Sequence, residues 1–218
     1  TGTGVCSHLF GGLVTGQLRI DVNNDCITDS TEPALSGKVV KFKTAGNEYL
    51  AITREDGRFE RYLPFDNYSV FVGETDLFKA CANNSSLTLH SQNYNTYFSS
   101  SINAKVLCPQ LTVDFNAALI NWCSSEYVSL KYFNKGSKSA EGAYIELYLD
   151  PNLSILQSSV PFTNAGSNIF RFELGTVELQ TGNQIQLLIQ SSCIASMQGR
   201  TVQCTAKIFP QITCIASP

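Results

Sequence analysis

Apolar residues recur at every second position along most of this chain, and each such run stops at a cluster of Gly, Asn, Asp, Ser or Pro. Leu18, Ile20 and Val22 alternate with polar neighbours, as do Val40 and Phe42 between lysines. A period of two places successive side chains on opposite faces of a strand, one buried and one wet, whereas a helix repeats every 3.6 residues. Residues 49–53, 59–63 and 67–72 continue the pattern. Residues 111–115, 128–132, 145–149, 170–174, 185–189 and 202–208 predict six further strands. Turn chemistry separates them: Glu-Asp-Gly at 55–57, Asn-Lys-Gly at 134–136, Asp-Pro-Asn at 150–152 and Gln-Thr-Gly-Asn at 180–183. Charged residues make up only 15% of the chain, which leaves few of the Glu, Lys and Arg that cover helical surfaces. The expected class is all-β, with two antiparallel β-sandwich domains in tandem, since 218 residues suffice for two cores. Residues 1–15 read as an irregular lead-in and 16–104 as the first sandwich with its C-terminal connection. The second sandwich is expected over 105–218. Within the first domain, the polar, Ser/Asn-rich segment 82–107 reads as an extended connection ending in a strand.

The first strand runs into Asp21-Val-Asn23-Asn-Asp25-Cys26-Ile27-Thr-Asp29-Ser-Thr-Glu32. Acceptor side chains at positions 1, 3, 5, 9 and 12, with the Ile27 carbonyl at position 7, match the ligand spacing of a twelve-residue calcium loop. Asp21, Asn23, Asp25, Ile27, Asp29 and Glu32 are the candidate ligands, and calcium is the expected cofactor. Four carboxylates lie within twelve residues, and no Lys or Arg occurs between Arg19 and Lys38, so the segment repels itself without a counter-ion. Position 6, usually Gly, is Cys26. The backbone there must either avoid a left-handed conformation or bear strain.

Eight cysteines are spread along the chain without a Cys-x-x-Cys pair, and there are only two histidines. Zinc sites bring their ligands as close pairs, so disulfides in an oxidising compartment are the better account. The net charge of −3 offers no field for nucleic acid, and no apolar run is long enough to cross a membrane as a helix. The N-terminus lacks signal-peptide regions, so the chain reads as already processed or cut from something longer. No nucleophile elbow, phosphate-binding loop or dinucleotide motif occurs, and His8 and His90 lack a nucleophile pattern nearby. No enzyme is expected. Tyr94 and Tyr97, beside Asn and Gln amides, form a candidate ligand surface for a glycan.

Gly16-Gln-Leu-Arg-Ile-Asp21-x-Asn23, the loop ending Glu32-Pro-Ala-Leu-Ser-Gly37, Thr53-Arg-Glu-Asp56-Gly57-Arg-Phe59, and Leu63-Pro64-x-x-x-Tyr68-Ser-Val70 resemble the B-type repeats of bacterial surface proteins. These are the SdrD B-like and collagen-adhesin B-type domains. The resemblance covers residues 12–80 and implies a prealbumin-like sandwich with the metal in the acidic loop and Asp56 as a turn residue or further ligand. Some members carry a self-formed Lys–Asn isopeptide bond. This chain departs from them, having Arg19 and no lysine in the first strand. A Cys26–Cys81 disulfide is the expected substitute, pinning position 6 of the loop. Tyr132-x-Asn134-x-Gly136-x-x-x-Ala140, Tyr144-Ile-Glu-Leu-Tyr-Leu149-Asp150-Pro and Leu174-Gly175 resemble the Ig-like repeats that alternate with B-type domains in secreted proteins of Bacteroidetes. Within that resemblance Cys193 and Cys204 are expected to staple a terminal hairpin. Cys6 and Cys214 sit at matching places before the first module and after the second, as in one period of an array.

The expected function is that of a non-enzymatic extracellular structural or adhesive module at a bacterial cell surface, a stalk or self-associating filament subunit. Its expected partners are further copies or neighbouring modules. A carbohydrate-binding module is the alternative, with a glycan as partner. Neither nucleic acid nor membrane insertion is expected.

Overall fold

The computed structural model describes residues 10–75, 77–81, 85–117, 120–212 and 214, except the Met197 side chain. The described residues divide into two compact units, one reaching up to Leu107 and the other Cys108–Cys214. Both are all-β, as the period-two pattern predicts.

The first unit is a sandwich of two four-stranded sheets. Its strands are β1 (Gly11–Asp21), β2 (Val39–Lys43), β3 (Glu48–Ile52), β4 (Arg58–Pro64), β5 (Asn67–Val72), β6 (Phe78–Ala80), β7 (Ser85–Thr88) and β8 (Asn95–Ala104). One sheet has the order β4-β1-β8-β6 and the other β3-β2-β5-β7. The inward side chains of β1, including Val14, Leu18 and Ile20, are buried with Phe42, Phe59, Leu63, Tyr68, Phe78 and Ile102. Phe42 meets the Phe59 and Tyr68 rings at centroid distances of 6.1 and 6.4 Å. Gly16 also points inward, where a Cβ would strike the Phe98 carbonyl and the Phe59 ring. The absence of a side chain therefore makes room for two aromatics.

Two expectations fail in this unit. The lead-in reaches only as far as Phe10 in the described residues, because residues 11–15 belong to β1 and pair with β4. The segment 82–107 ends in a strand as expected, the ten-residue β8, but it is more than a connection: it also supplies β7, and β8 is an interior strand of its sheet. β8 runs parallel to β1, Leu13 pairing with Asn95 through to Asp21 with Asn103. Its polarity has a physical cause. Ser101 and Asn103 lie on the outer face of the sheet, but the acidic loop folds back over them and buries both.

The second unit also holds two four-stranded sheets. Its strands are β9 (Leu111–Asn116), β10 (Ser125–Asn134), β11 (Ala140–Tyr148), β12 (Leu153–Ser158), β13 (Thr163–Gly166), β14 (Ile169–Val177), β15 (Gly182–Ser191) and β16 (Thr205–Phe209). The sheet orders are β12-β15-β10-β9 and β13-β14-β11-β16. Val128, Leu130, Ile145, Leu147, Phe172, Ile185, Leu187, Ile189 and Ile208 fill the space between them. β12 and β13 went unread in the sequence because their outward residues carry no clean alternation: Thr163–Gly166 is exposed throughout. The last strand begins at Thr205, so Val202 and Cys204 precede it. Asn134 is fully buried and bridges four backbone groups, accepting from the N–H groups of Gln110 and Gly136 and donating to the carbonyls of Lys138 and Val177. It locks the end of β10 to three neighbouring segments.

Disulfides join Cys26 to Cys81, Cys108 to Cys214 and Cys123 to Cys193. The expected Cys193–Cys204 staple does not form. β15 and β16 lie in different sheets and make no hairpin; β15 pairs with β10, Ser125 opposite Gln190, which brings Cys123 beside Cys193 with Cα atoms 4.3 Å apart. Cys204 has no disulfide partner among the described residues. Cys214 closes onto Cys108, and Cys6 lies outside the described residues.

Candidate metal centre

The acidic loop leaves the end of β1 and returns beside it. The Ile20 N–H donates to the Pro33 carbonyl at 2.9 Å and the Leu35 N–H to the Leu18 carbonyl at 3.0 Å, so the two ends of the loop are held together. Asp21 and Glu32, its first and twelfth residues, are only 3% and 2% exposed. Burial of two carboxylates without cationic partners is unfavourable. Among the described residues no Lys or Arg forms an ion pair with any loop carboxylate. Arg19 directs its guanidinium at the backbone carbonyls of Ser30 and Glu32. Arg19, on β1, thus braces the loop.

Backbone amides shape the loop around its acids. Asp21 accepts from the N–H groups of Asp25 and Cys26 at 3.2 and 2.8 Å, and Asp25 accepts from Ile27 at 2.7 Å. Glu32 uses both oxygens, accepting from Val22 and from Asp29, each at 3.3 Å. Asp29 accepts from the hydroxyl and N–H of Thr31, which hold its carboxyl below the usual carboxylate range, and from the Glu32 N–H. Asn23 donates its amide to Asp25 at 2.9 Å. A carboxylate oxygen has two acceptor sites, so an oxygen holding one N–H retains a lone pair for a cation. Asn24 and Cys26 both adopt left-handed conformations, φ 60° and 59°. Position 6 therefore takes the conformation a glycine would take, although it is a cysteine.

The alternate residues of the loop face the protein. Asn24 accepts from the Asn103 side-chain amide at 3.2 Å, Cys26 is bonded to Cys81, and the Thr28 and Ser101 hydroxyls are 2.8 Å apart. Positions 4, 6 and 8 are thus tethered to β8 and to the residue after β6. Asn103 and Ser101 were not singled out in the sequence. Their signal was the pair of polar residues two apart in a strand with a buried Ile102 between them. Asp21 Oδ2 also lies 3.2 Å from the Cys81 sulfur, but both sulfurs belong to the disulfide and offer no thiolate to a metal. The loop's remaining candidate donors are all oxygen, the ligand type of a hard divalent cation, and among the described residues no three loop carboxylates draw within 4.8 Å of one another.

Other candidate residues fall elsewhere. Asp56 caps its own turn, accepting from the Arg58 N–H at 2.9 Å while its carbonyl accepts from Gln17. Tyr97 is 63% exposed on the outer face of β8, opposite Thr15; Tyr94, 45% exposed, precedes that strand. Tyr62 of β4, opposite Leu13, stands on the same sheet face as Tyr97. His90 sits in an exposed turn and His8 outside the described residues. In the second unit Trp122, 43% exposed, donates its indole N–H to the Ile194 carbonyl beside the Cys123–Cys193 bridge. With Phe115, Leu153, Val202 and Cys204 it lines a cleft of about 650 Å³.

No protein-family model matches the chain, and no curated protein matches it. Solved structures give low-similarity matches. The major pilin SpaD of Corynebacterium diphtheriae is 13% identical with a TM-score of 0.36, the match covering 88% of this chain and 60% of the pilin. A DUF3823 family protein of Bacteroides ovatus is 12% identical with a TM-score of 0.35, covering 91% and 90% of the two chains. A carbohydrate-binding protein assigned as such in Bacteroides uniformis is 9% identical with a TM-score of 0.31, covering 81% and 79%.

Proposed function

We propose that this chain is a non-enzymatic extracellular module of a bacterial surface, a stalk or fibre subunit whose first, B-type sandwich is stiffened by calcium and a disulfide. The second sandwich serves as its Ig-like companion. Asp21, Asn23, Asp25, Asp29 and Glu32 hold the ion through side-chain oxygens, and Ile27 through its carbonyl. The observation that carries this reading is the burial of Asp21 and Glu32 at the two ends of one loop without an ion pair. A divalent cation between them neutralises both and joins the end of β1 to the segment leading into β2. In a load-bearing module that junction is where the chain would otherwise fray.

Calorimetric titration of metal-stripped protein with calcium tests the site. The expected result is saturable binding, and a rise in melting temperature that Asp21→Ala with Glu32→Ala abolishes. Calcium at one hundred times its Kd stabilises the folded state by about 2.7 kcal/mol. Absence of binding at millimolar calcium overturns the reading. Sedimentation and electron microscopy at increasing concentration test self-association.

The alternative, glycan binding, has one observation in its favour: Tyr62 and Tyr97 stand on one exposed sheet face with Leu13 and Thr15 between them. Saccharide stacks on aromatic faces. Selective glycan-array binding lost in Tyr97→Ala would favour it over the structural reading.

A further inference from the structure

We infer that the Cys26–Cys81 disulfide is coupled to the cation loop, so that reduction of the bridge lowers calcium affinity and calcium in turn protects the bridge from reduction. This rests on the proposed calcium site. It adds a partner for that site which no ligand spacing reveals: a redox couple contributed by another part of the sheet.

The loop has two sides. Odd positions, from Asp21 to Asp29, carry the oxygen donors; even positions 24, 26 and 28 are tied to Asn103, Cys81 and Ser101. Of the three ties only the middle one is covalent, and it is attached at one of the loop's two left-handed residues. Cys26 sits at φ 59°, a conformation that residues with a Cβ disfavour. Its own N–H reaches Asp21 Oδ2 at 2.8 Å, and the next N–H, of Ile27, reaches Asp25 Oδ1 at 2.7 Å. Once the bridge opens, Cys26 is free to relax to negative φ. That rotation turns the 26–27 peptide and withdraws the Ile27 N–H from Asp25, while moving the backbone from which the Ile27 carbonyl projects. Asn103 and Ser101 still hold the flanking positions, so the loop loosens without leaving the sheet.

The chemistry is a two-electron exchange. A dithiol such as dithiothreitol attacks one sulfur, the Cys26–Cys81 bond breaks, the reagent closes to its own disulfide, and both cysteines take up protons as thiols. Cys26 is exposed, so the bridge is open to the reagent. Coupling of this kind is reciprocal: the factor by which the bridge tightens calcium binding equals the factor by which calcium disfavours reduction. We expect at least tenfold. For a two-electron couple, tenfold corresponds to a reduction potential lower by about 30 mV.

The test uses the full chain. Calcium affinity is measured for the oxidised protein, for the dithiothreitol-treated protein with Cys26 and Cys81 shown reduced by peptide mapping, and for Cys26→Ala with Cys81→Ala. Circular dichroism monitors the sheets in each. The potential of the bridge is then read in dithiothreitol redox buffers with calcium and with a chelator. Asn103→Ala, bridge intact, provides a second route to a loosened loop and is expected to lower affinity about threefold or more. Tenfold weaker binding with the sheet signal retained, and a potential about 30 mV lower in calcium, supports the coupling. Equal affinity in both redox states, with a potential indifferent to calcium, overturns it while leaving the calcium site intact. No binding by the oxidised protein overturns the site itself and the coupling with it. Loss of the sheet signal on reduction also counts against the inference, because the bridge would then hold the sandwich and not the loop.

Discussion

Asp21 at the end of β1 and Asn103 near the end of β8 are register partners in the one parallel strand pairing among the described residues. Both side chains point to the outer face of the sheet, yet both are buried, at 3% and 9% exposure. What covers them is the loop that begins at Asp21 itself. The pair marks where a strand of the fold becomes the floor of the candidate site, and the consequences can be measured.

Glu32→Gln should have opposite effects in the absence and presence of calcium. Without metal, removing a 2% exposed charge that has no ion-pair partner relieves desolvation, a gain set against the Val22 or Asp29 N–H that the new amide nitrogen cannot accept, so the variant should melt close to or above wild type. At saturating calcium the variant lacks one of the proposed ligands and should melt below it. Melting curves across a calcium series should therefore cross. Parallel curves would show that Glu32 does not face an ion.

Gly16 should not tolerate a larger residue. A Cβ there meets the Phe98 carbonyl and the Phe59 ring, and those two rings pack with centroids 6.4 Å apart. Gly16→Val is expected to destabilise the first unit by about 1–3 kcal/mol, as over-packing of a filled core does. Denaturant unfolding of the variant provides the check.

Tyr68 should make stability fall at alkaline pH. Burial is the main cause that raises its phenol from the ordinary 10.0 to about 12, with the electrostatic influence of Tyr49 and Asp66 adding to it. Its hydroxyl donates to the Pro64 carbonyl at 2.7 Å. The folded state thus favours the neutral phenol. The contribution is fully present below pH 10 and is lost as pH rises through about 12. Tyr68→Phe should cost about 1 kcal/mol at neutral pH through the lost hydrogen bond. The difference between wild type and variant in melting temperature should shrink between pH 10 and 12, and a constant difference would contradict the assignment.

The Cys108–Cys214 bridge spans 106 residues and encloses the second unit from end to end. Cys108→Ser with Cys214→Ser should lower the stability of that unit by about 3–5 kcal/mol, given the length of chain released in the unfolded state. The first unit should be unaffected, which two-probe denaturation would reveal.

Cys204 is half-buried, and burial is the leading cause that pushes its thiol up. Alkylation of the native protein without reductant should modify it slowly at neutral pH and faster as pH rises, because only the thiolate reacts. Peptide mapping of the labelled protein should show a rate well below that of the denatured chain.

The sequence by itself determined the all-β class and most strand positions, because a period of two is a local property that each run carries within itself. It also determined the acidic loop, whose donors lie within twelve consecutive residues. Only the tertiary structure decided what depends on pairing. Segment 82–107 was polar enough to pass for a connection, yet β8 is interior, and its serines and Asn103 are polar because they face the loop. Cys193 lay near Cys204 in sequence, but membership in different sheets separates them and places Cys123 alongside. Cys26 showed a missing glycine, and its bond to Cys81 was expected from the resemblance to B-type repeats; the left-handed backbone there belongs to the folded chain. Alternation tells a strand which face is wet, but it does not say which strand lies next to it. That choice is made by the packing of two sheets around one core.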